Sequence, residues 1–301
     1  MLKRTFYIFL LLISIKAVGQ RTNASPYSFF GIGQEYRFQT VEQASMGGIG
    51  ISFSDNYHLN FINPAGNAHL RYSTYTIGVV ANDLTIKDFS GSQSSTSSSL
   101  SFLSIGFPIG NKFGASFGIQ PNTSVGYSLF NLIEDANGDV TESTRFYGLG
   151  GTSRIYGAFG MFLTKELSVG LDVGYIFGKT ENNILSQRTD VHLATRNTEI
   201  NTIRGGVIKL GVQYKKELSN KLVISLGATL KLENSLDTNG DEYLFSLTVN
   251  ENAVQLPRDT IYNQTVNGKI INPLKTGLGV GLGKPGKWFA GLEYEFQEAL
   301  D

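Results

Sequence analysis

Alternation of apolar with polar or very small residues, sustained over runs too long for an ordinary globular strand, most limits how this chain can fold. In residues 167–178, Leu167, Val169, Leu171, Val173, Tyr175 and Phe177 alternate with Ser168, Gly170, Asp172, Gly174, Ile176 and Gly178, and only Ile176 breaks the rule. Leu222, Ile224, Leu226, Ala228, Leu230 and Leu232 repeat the pattern. So do Leu278, Val280 and Leu282 between glycines, and Trp288, Ala290, Leu292, Tyr294 and Phe296 mainly against Gly291, Glu293, Glu295 and Gln297. Successive strand side chains point to opposite faces, so each run carries one apolar face and one polar or tiny face.

A soluble sandwich produces the same alternation with its apolar face turned inward. Three features favour lipid instead. The runs reach about ten to fifteen residues against a usual ~5–6. Aromatic residues collect at run ends, as Tyr175 with Phe177 and Tyr294 with Phe296 do, where bilayer interfaces take them. Short turns at 165–166, 219–221 and 283–287 alternate with long polar stretches at 179–200 and 233–270, the asymmetry of periplasmic turns and extracellular loops. The expected fold is all-β: a transmembrane antiparallel β-barrel of about ten to twelve strands. Strands are expected from near Ser73 onward, at 98–108, 112–129, 144–151, 153–164, 167–180, 202–218 and 221–234. A weaker pair falls at 243–250 and 260–264, and a final hairpin at 272–297. The Ser-rich run 90–99 reads as a flexible loop.

The first residues set the compartment. Lys3 and Arg4 precede an apolar run from Phe6 to Ile15, then Ala17-Val18-Gly19, small residues that suit signal peptidase before Gln20. The run is short of the ~20 residues a spanning helix needs, so a secretory signal over residues 1–19 is expected. Its removal leaves 22 basic against 25 acidic side chains, a formal charge of -3. Such a balance offers no polyanion-binding surface, and no nucleic-acid partner is expected. With no Cys in the chain, disulfides, zinc-thiolate sites and thiol nucleophiles are excluded. Glycine at about 12% and the 20 Phe and 14 Tyr argue against both a helical protein and disorder.

Between the signal and the first strand, residues 20–71 are irregular, with one helical turn near Val41 to Met46. Here lie Gln43-Ala44-Ser45-Met46-Gly47-Gly48-Ile49-Gly50, then Asp55, then Asn63-Pro64-Ala65-Gly66 and Leu70. This segment resembles the N-terminal plug of outer-membrane long-chain fatty-acid transporters, the FadL/TodX hydrocarbon-channel family. Ser25-Pro26-Tyr27-Ser28, Phe30-Gly31-Ile32-Gly33 and Gly150-Gly151 to Arg154 look like its Bacteroidota branch. The resemblance is strong over residues 25–71 and pattern-level beyond. It implies that residues 20–71 fold as a plug inside a barrel formed by residues 72–301, with Gly47, Gly48, Gly50, Asn63, Pro64, Ala65 and Gly66 gating the ligand path. Glycines allow tight turns there, and Asn-Pro cannot continue a helix.

Pro121 follows Ala115, Phe117 and Ile119 in the expected third strand, where a proline cannot donate a ladder bond. Something bends there, or the strand ends at Gln120. The family has an inward kink in this strand that opens the wall, which makes Pro121, Asn122 and Gly126 a candidate lateral gate. Elsewhere chemistry is sparse. His58, His69 and His192 lack ligand spacing, and no metal or other cofactor is expected. Asp135 to Asp139 and Asp237 to Glu242 place carboxylates around Asn-Gly pairs, without the twelve-residue calcium pattern, and read as surface turns. No nucleophile elbow or phosphate loop occurs, so no enzyme is expected.

The resemblance implies passive uptake across the outer membrane of hydrophobic small molecules such as long-chain fatty acids, with plug-gated entry and sideways exit into outer-membrane lipid. The alternative is an interaction barrel of type IX secretion that binds secretion-complex proteins and transports nothing. A general porin is disfavoured by the plug. Outer-membrane barrels commonly end on an aromatic residue that the barrel insertion machinery recognises, whereas this chain ends Glu298-Ala299-Leu300-Asp301. The family barrel has more strands, so the last strands are expected to be missing.

Overall fold

The structure, a computed structural model, describes residues 25–87, 91–249 and 255–299. The expected signal over residues 1–19 and the plug's first residues lie outside them. The strands are β1 (Gln34–Glu35), β2 (Thr74–Lys87), β3 (Ser92–Ile109), β4 (Phe113–Glu134), β5 (Val140–Phe162), β6 (Leu167–Arg188), β7 (Ala194–Glu217), β8 (Val223–Lys231), β9 (Asn234–Val249), β10 (Gln255–Asn272), β11 (Lys275–Lys284) and β12 (Trp288–Gln297). One α-helix, α1 (Val41–Ser45), and 3-10 turns at Pro26–Phe29, Pro64–His69 and Ser219–Lys221 complete the described elements. No helix among the described residues is long and apolar enough to cross a membrane.

All the strands join one antiparallel sheet whose main path runs β12-β11-β8-β7-β6-β5-β4-β3-β2 and stays open between its two edges. Near its turn with β8, β7 pairs β8 through Lys209 to Glu217, and farther along it pairs β9 through Ala194 to Arg204. β9 thus carries the line of β8 onward, and β10 pairs with β9 before leading into β11. The sheet wraps the segment 25–71: the Pro64–His69 turn packs against β3, β4, β5, β6 and β7.

Which face is covered decides the medium. On β6, Leu171, Val173 and Tyr175 are 43%, 49% and 50% exposed, while the interleaved Ser168 and Asp172 are 0% and 3% exposed. Ile208, Leu210 and Val212 on β7 and Leu278, Val280 and Leu282 on β11 point outward likewise. A sandwich in water buries the opposite set, because the hydrophobic effect removes apolar surface from solvent. This apolar outer band is the pattern of a sheet standing in hydrocarbon, with every strand paired to its neighbour. Ile176, the one break in the alternation, faces inward and packs with Ile203, Val207 and Leu236, with Ile32 of the N-terminal segment against them.

Four sequence expectations need correction. Residues 92–99 of the Ser-rich run are strand, because hydroxyl side chains cross-pair and the ladder with β2 runs unbroken from Ser92 to Ser99; Ser90 lies outside the described residues. Residues 144–151 and 153–164 form one strand, β5, since Gly150 and Gly151 turn at φ 113° and 144° without loss of pairing. The long polar stretches 179–200 and 233–270 are largely strand, because ladder bonds need no apolar side chains. For the same reason Asp237 to Glu242 lies within β9, its Asn239-Gly240 opposite Thr202 and Asn201, and forms no turn. Asp135 to Asp139 does turn: the Asp135 carboxylate accepts from the amides of Asn137 and Asp139 at 2.8 and 3.0 Å. At ~3.3 Å per residue, the 22 residues of β6 reach ~70 Å, well beyond the ~25 Å apolar band even when tilted.

Candidate functional site: the plug seat and a seam in the wall

The seat begins with side chains that are absent. Gly114, Gly160, Gly170 and Gly211 lie directly opposite one another across β4, β5, β6 and β7. A Cβ on Gly160 would come within 2.7 Å of the Ala68 nitrogen, and one on Gly114 or Gly170 would strike the Asn67 carbonyl or the Pro64-Ala65 peptide. On Gly211 it would meet Asn63 and the Pro64 ring, the latter at 2.7 Å. Backbone of the Pro64–His69 turn therefore lies against backbone of the wall, which only glycine permits.

Polar side chains fasten what the glycines admit. Asn63 is fully buried; its Nδ2 donates to the carbonyls of Ile51 and Val212 at 2.7 and 3.0 Å, and its Oδ1 accepts from the Ala65 amide at 3.0 Å. Pro64 follows at the first helical position, where its lack of an N–H costs nothing. Asn60 donates to the Gly50 and Phe53 carbonyls and accepts from the Ile62 and Asn63 amides, with Gln43 Nε2 adding a fifth bond. Gln43 also closes the capping box with Thr40 that starts α1. Among the sequence-expected plug residues, Gly50, Asn63, Pro64, Ala65 and Gly66 meet in this packed turn. Gly47 and Gly48, at φ 78° and 88°, end α1 instead, and a Cβ on Gly47 would meet nothing.

The inner face of β7 presents Lys209, Gly211, Gln213 and Lys215 in one row. Lys209 Nζ donates to the Phe61 carbonyl at 2.5 Å, Gln213 Nε2 to the Ile51 and Phe53 carbonyls at 2.9 and 3.2 Å, and Lys215 Nζ to the Ser54 carbonyl. Beside Lys209 lies a buried ion pair, Arg154 with Asp172, the Lys209 ammonium 3.8 Å from the same carboxylate. The Arg154 guanidinium stacks over Phe38 of the plug and over Tyr156, 5.2 Å from each ring. From β12, Glu293 receives the amides of Gly50 and Ser52 at 3.0 and 2.8 Å. His69, partly buried with its ring edge-on to Phe162 of β5, has its pKa held down at about 3 by desolvation and by the nearby Lys215 and Arg71 cations, so it stays neutral. Sequence reasoning missed Lys209, Gln213, Lys215 and Glu293. Their signal was charge or amide at every second position on the non-lipid face of a strand.

The second feature is a seam. The β3–β4 ladder ends at Leu103 opposite Ile119, although both strands continue past it. β4 does not stop at Gln120. It runs through Pro121 to Glu134, still paired to β5, with a register shift between Pro121 and Thr123. Toward β3 it is open, which is where a proline without an N–H fits. The plug borders this opening: β1 pairs with Ser124 and Thr123, the Tyr36 amide donates to the Asn122 carbonyl at 2.9 Å, and the Gly126 amide to Ser28 Oγ at 3.1 Å. Pro121, Asn122 and Gly126 thus all lie along the seam, and Pro121 lines a crevice of about 420 Å³ there with Leu100, Ile119, Gln120 and Lys179. Gly150 and Gly151 allow β5 to deform beside it, as a Cβ on either would strike the backbone of β6 or β4. No group of three metal-ligating side chains occurs among the described residues.

A family model described as BamG matches residues 1–301. Among solved structures, the crystal structure of the P. putida toluene transporter TodX is similar with a TM-score of 0.55 and 17% identity, covering 87% of this chain and 70% of that one. At that identity the likeness carries the β-barrel fold alone. No curated protein sequence matches.

Proposed function

The chain belongs to the BamG family, and from that premise we propose that it is an outer-membrane barrel of FadL-like fold, sealed by its own N-terminal segment, that acts through its wall and outer rim as an interaction barrel. In this reading residues 1–19 are a signal removed on export, 20–71 the plug, and 72–301 the wall. Its partner is the barrel insertion machinery, to which the Bam-associated family name points. The observation that carries it is the fastening of the plug: Asn63, Lys209, Gln213, Lys215 and Glu293 tie it to β7 and β12. Opening the axis breaks several of these together, and bonds to charged groups contribute about 1.5–3 kcal/mol each. The test is affinity purification of the full chain from solubilised outer membranes. Stoichiometric co-elution of insertion-machinery subunits is expected, and elution alone overturns the reading.

The seam favours a second reading, passive uptake of hydrophobic small molecules such as long-chain fatty acids, with sideways release past Pro121, Asn122 and Gly126. The same role within secretion assemblies of Bacteroidota, suggested by Ser25 to Ser28 and Phe30 to Gly33, is a variant of the first reading. Uptake of a radiolabelled fatty acid by cells with and without the protein separates transport from interaction. Neither reading involves catalysis.

A further inference from the structure

We propose that the lysines of the short turns form a collar that binds the phosphates of anionic phospholipid in the periplasmic leaflet. This rests on the outer-membrane placement above, but not on the choice between interaction and uptake.

Charge on this protein is sorted by end. The four described turns nearest the plug seat, at 110–112, 163–166, 218–222 and 285–287, carry or adjoin Lys112, Lys165, Lys216, Lys221, Lys284 and Lys287, against Glu166 and Glu217. At the opposite end, the described turns 135–139 and 189–193 carry Asp135, Asp139 and Asp190, and the adjoining Arg188 is paired with Asp190. A chain whose mature balance is acidic thus gathers its lysines at one rim. They are free to bind. Glu166 accepts from the Tyr214 hydroxyl at 3.0 Å, and the ion pairs among the described residues include none of the six lysines. Five of the six are exposed, and Lys284 is half-buried.

Position identifies the partner. The turns are flanked by exposed apolar side chains on the outward rows, Ile109, Phe113, Leu163, Leu218 and Trp288. The ammonium groups therefore stand at the periplasmic border of the apolar band, where long basic side chains reach lipid phosphates. Trp288, the only tryptophan in the chain, marks the same interface. The turns join β3 to β4, β5 to β6, β7 to β8 and β11 to β12, so in the order of the sheet they recur every second strand, ~10 Å apart. Each turn can hold its own headgroup. An acidic protein laid across this end meets Glu42 and Asp55, which the plug presents beside His58, whereas a ring of lipid avoids that centre.

The β7–β8 turn gives up backbone ease for charge. Asn220 and Lys221 both adopt left-handed φ, 65° and 61°, where Asn-Gly is the favoured pair. Lysine in the second place forgoes the relief that glycine offers and supplies a cation at the rim.

The experiment reconstitutes the full chain in phosphatidylcholine vesicles with a trace of spin-labelled phosphatidylglycerol or spin-labelled phosphatidylcholine. Electron spin resonance then reads the fraction of each lipid held at the protein surface. Phosphatidylglycerol is expected to be enriched about threefold at low salt, and the enrichment to vanish in about 1 M salt, where screening acts within about 3 Å. Replacing all six lysines by glutamine is expected to abolish it, whereas Lys179→Gln with Lys269→Gln, farther up β6 and β10, is expected to leave it unchanged. Heat-modified mobility in SDS gels shows that each variant is folded. No enrichment in the parent protein, enrichment that survives in the six-lysine variant, or its loss in the far-end variant overturns the proposal. If the six-lysine variant loses an acidic protein from the purification above while its lipid preference stays intact, the rim docks protein and the collar is wrong. Absence of any surface-held lipid overturns the membrane placement itself. Loss of the insertion-machinery partner leaves the lipid result unaffected, so the failures are distinguishable.

Discussion

The wall has two halves built from the same strands, and they obey different rules. Near the short turns, β6 shows Leu171 and Val173 outward and Gly170 and Asp172 inward; farther along the same strand, the outward row continues as Glu181, Asn183 and Leu185, and Ile184 lies on the inner row with Asn182 and Ser186. Leu171 and Ile184 are nearly equally exposed, at 43% and 42%, yet one belongs to a continuous apolar band and the other does not. Accessibility alone therefore cannot report the solvent of a sheet; the neighbours on the same face do. The inner faces differ too. The half near the turns is filled by the N-terminal segment, down to backbone contact at the glycine row, whereas in the far half wall side chains pair with one another, as the Tyr127 hydroxyl does in donating to Asn182 Oδ1 at 2.9 Å.

The sharpest break comes at the glycine row. Gly170→Val drives a branched side chain into the Pro64-Ala65 peptide, and loss of the folded, heat-modifiable form is expected, more than the roughly 1–3 kcal/mol usual for overpacking, because backbone cannot move aside. Arginine substitution in the two halves of β6 comes next. Leu171→Arg is expected to destabilise by about 2–4 kcal/mol and Ile184→Arg by about 0–1, read as urea midpoints in lipid vesicles. Equal costs at the two sites would abolish the distinction between the halves.

Smaller effects sharpen the plug's share. Asn63→Ala removes donors from the Ile51 and Val212 carbonyls and an acceptor from the Ala65 amide, for a cost of about 2–3 kcal/mol and faster proteolysis within residues 40–70. Glu293→Gln keeps one acceptor for Gly50 or Ser52 and is expected to cost about 1 kcal/mol, seen as the same proteolysis at a lower rate. Gly157→Ala, where a Cβ meets nothing, should stay within about 0.5 kcal/mol and serves as the reference.

What was legible in the sequence follows from range. The alternation of 167–178 and the Asn63-Pro64-Ala65-Gly66 turn are local signals, and local chemistry fixes them: strand period in one case, an Asn cap before a proline in the other. The far half was misread as loops because Asp237 to Glu242 and 179–200 carry turn-forming or polar residues whose pairing with β7 and β5 is decided by register over a long separation. Lys209 and Glu293 were invisible for a similar reason. Their partners, the Phe61 carbonyl and the Gly50 and Ser52 amides, are backbone groups that no side-chain pattern records.

The height of β5, β6 and β7 has an immunological consequence. Because residues 179–188 and 194–204 are locked in a pleated ladder, a linear peptide copied from them presents the right letters in the wrong shape. Sera raised against such peptides should stain blots of the boiled protein and ignore the native one, and only whole-barrel immunogens should yield antibodies that bind the folded rim.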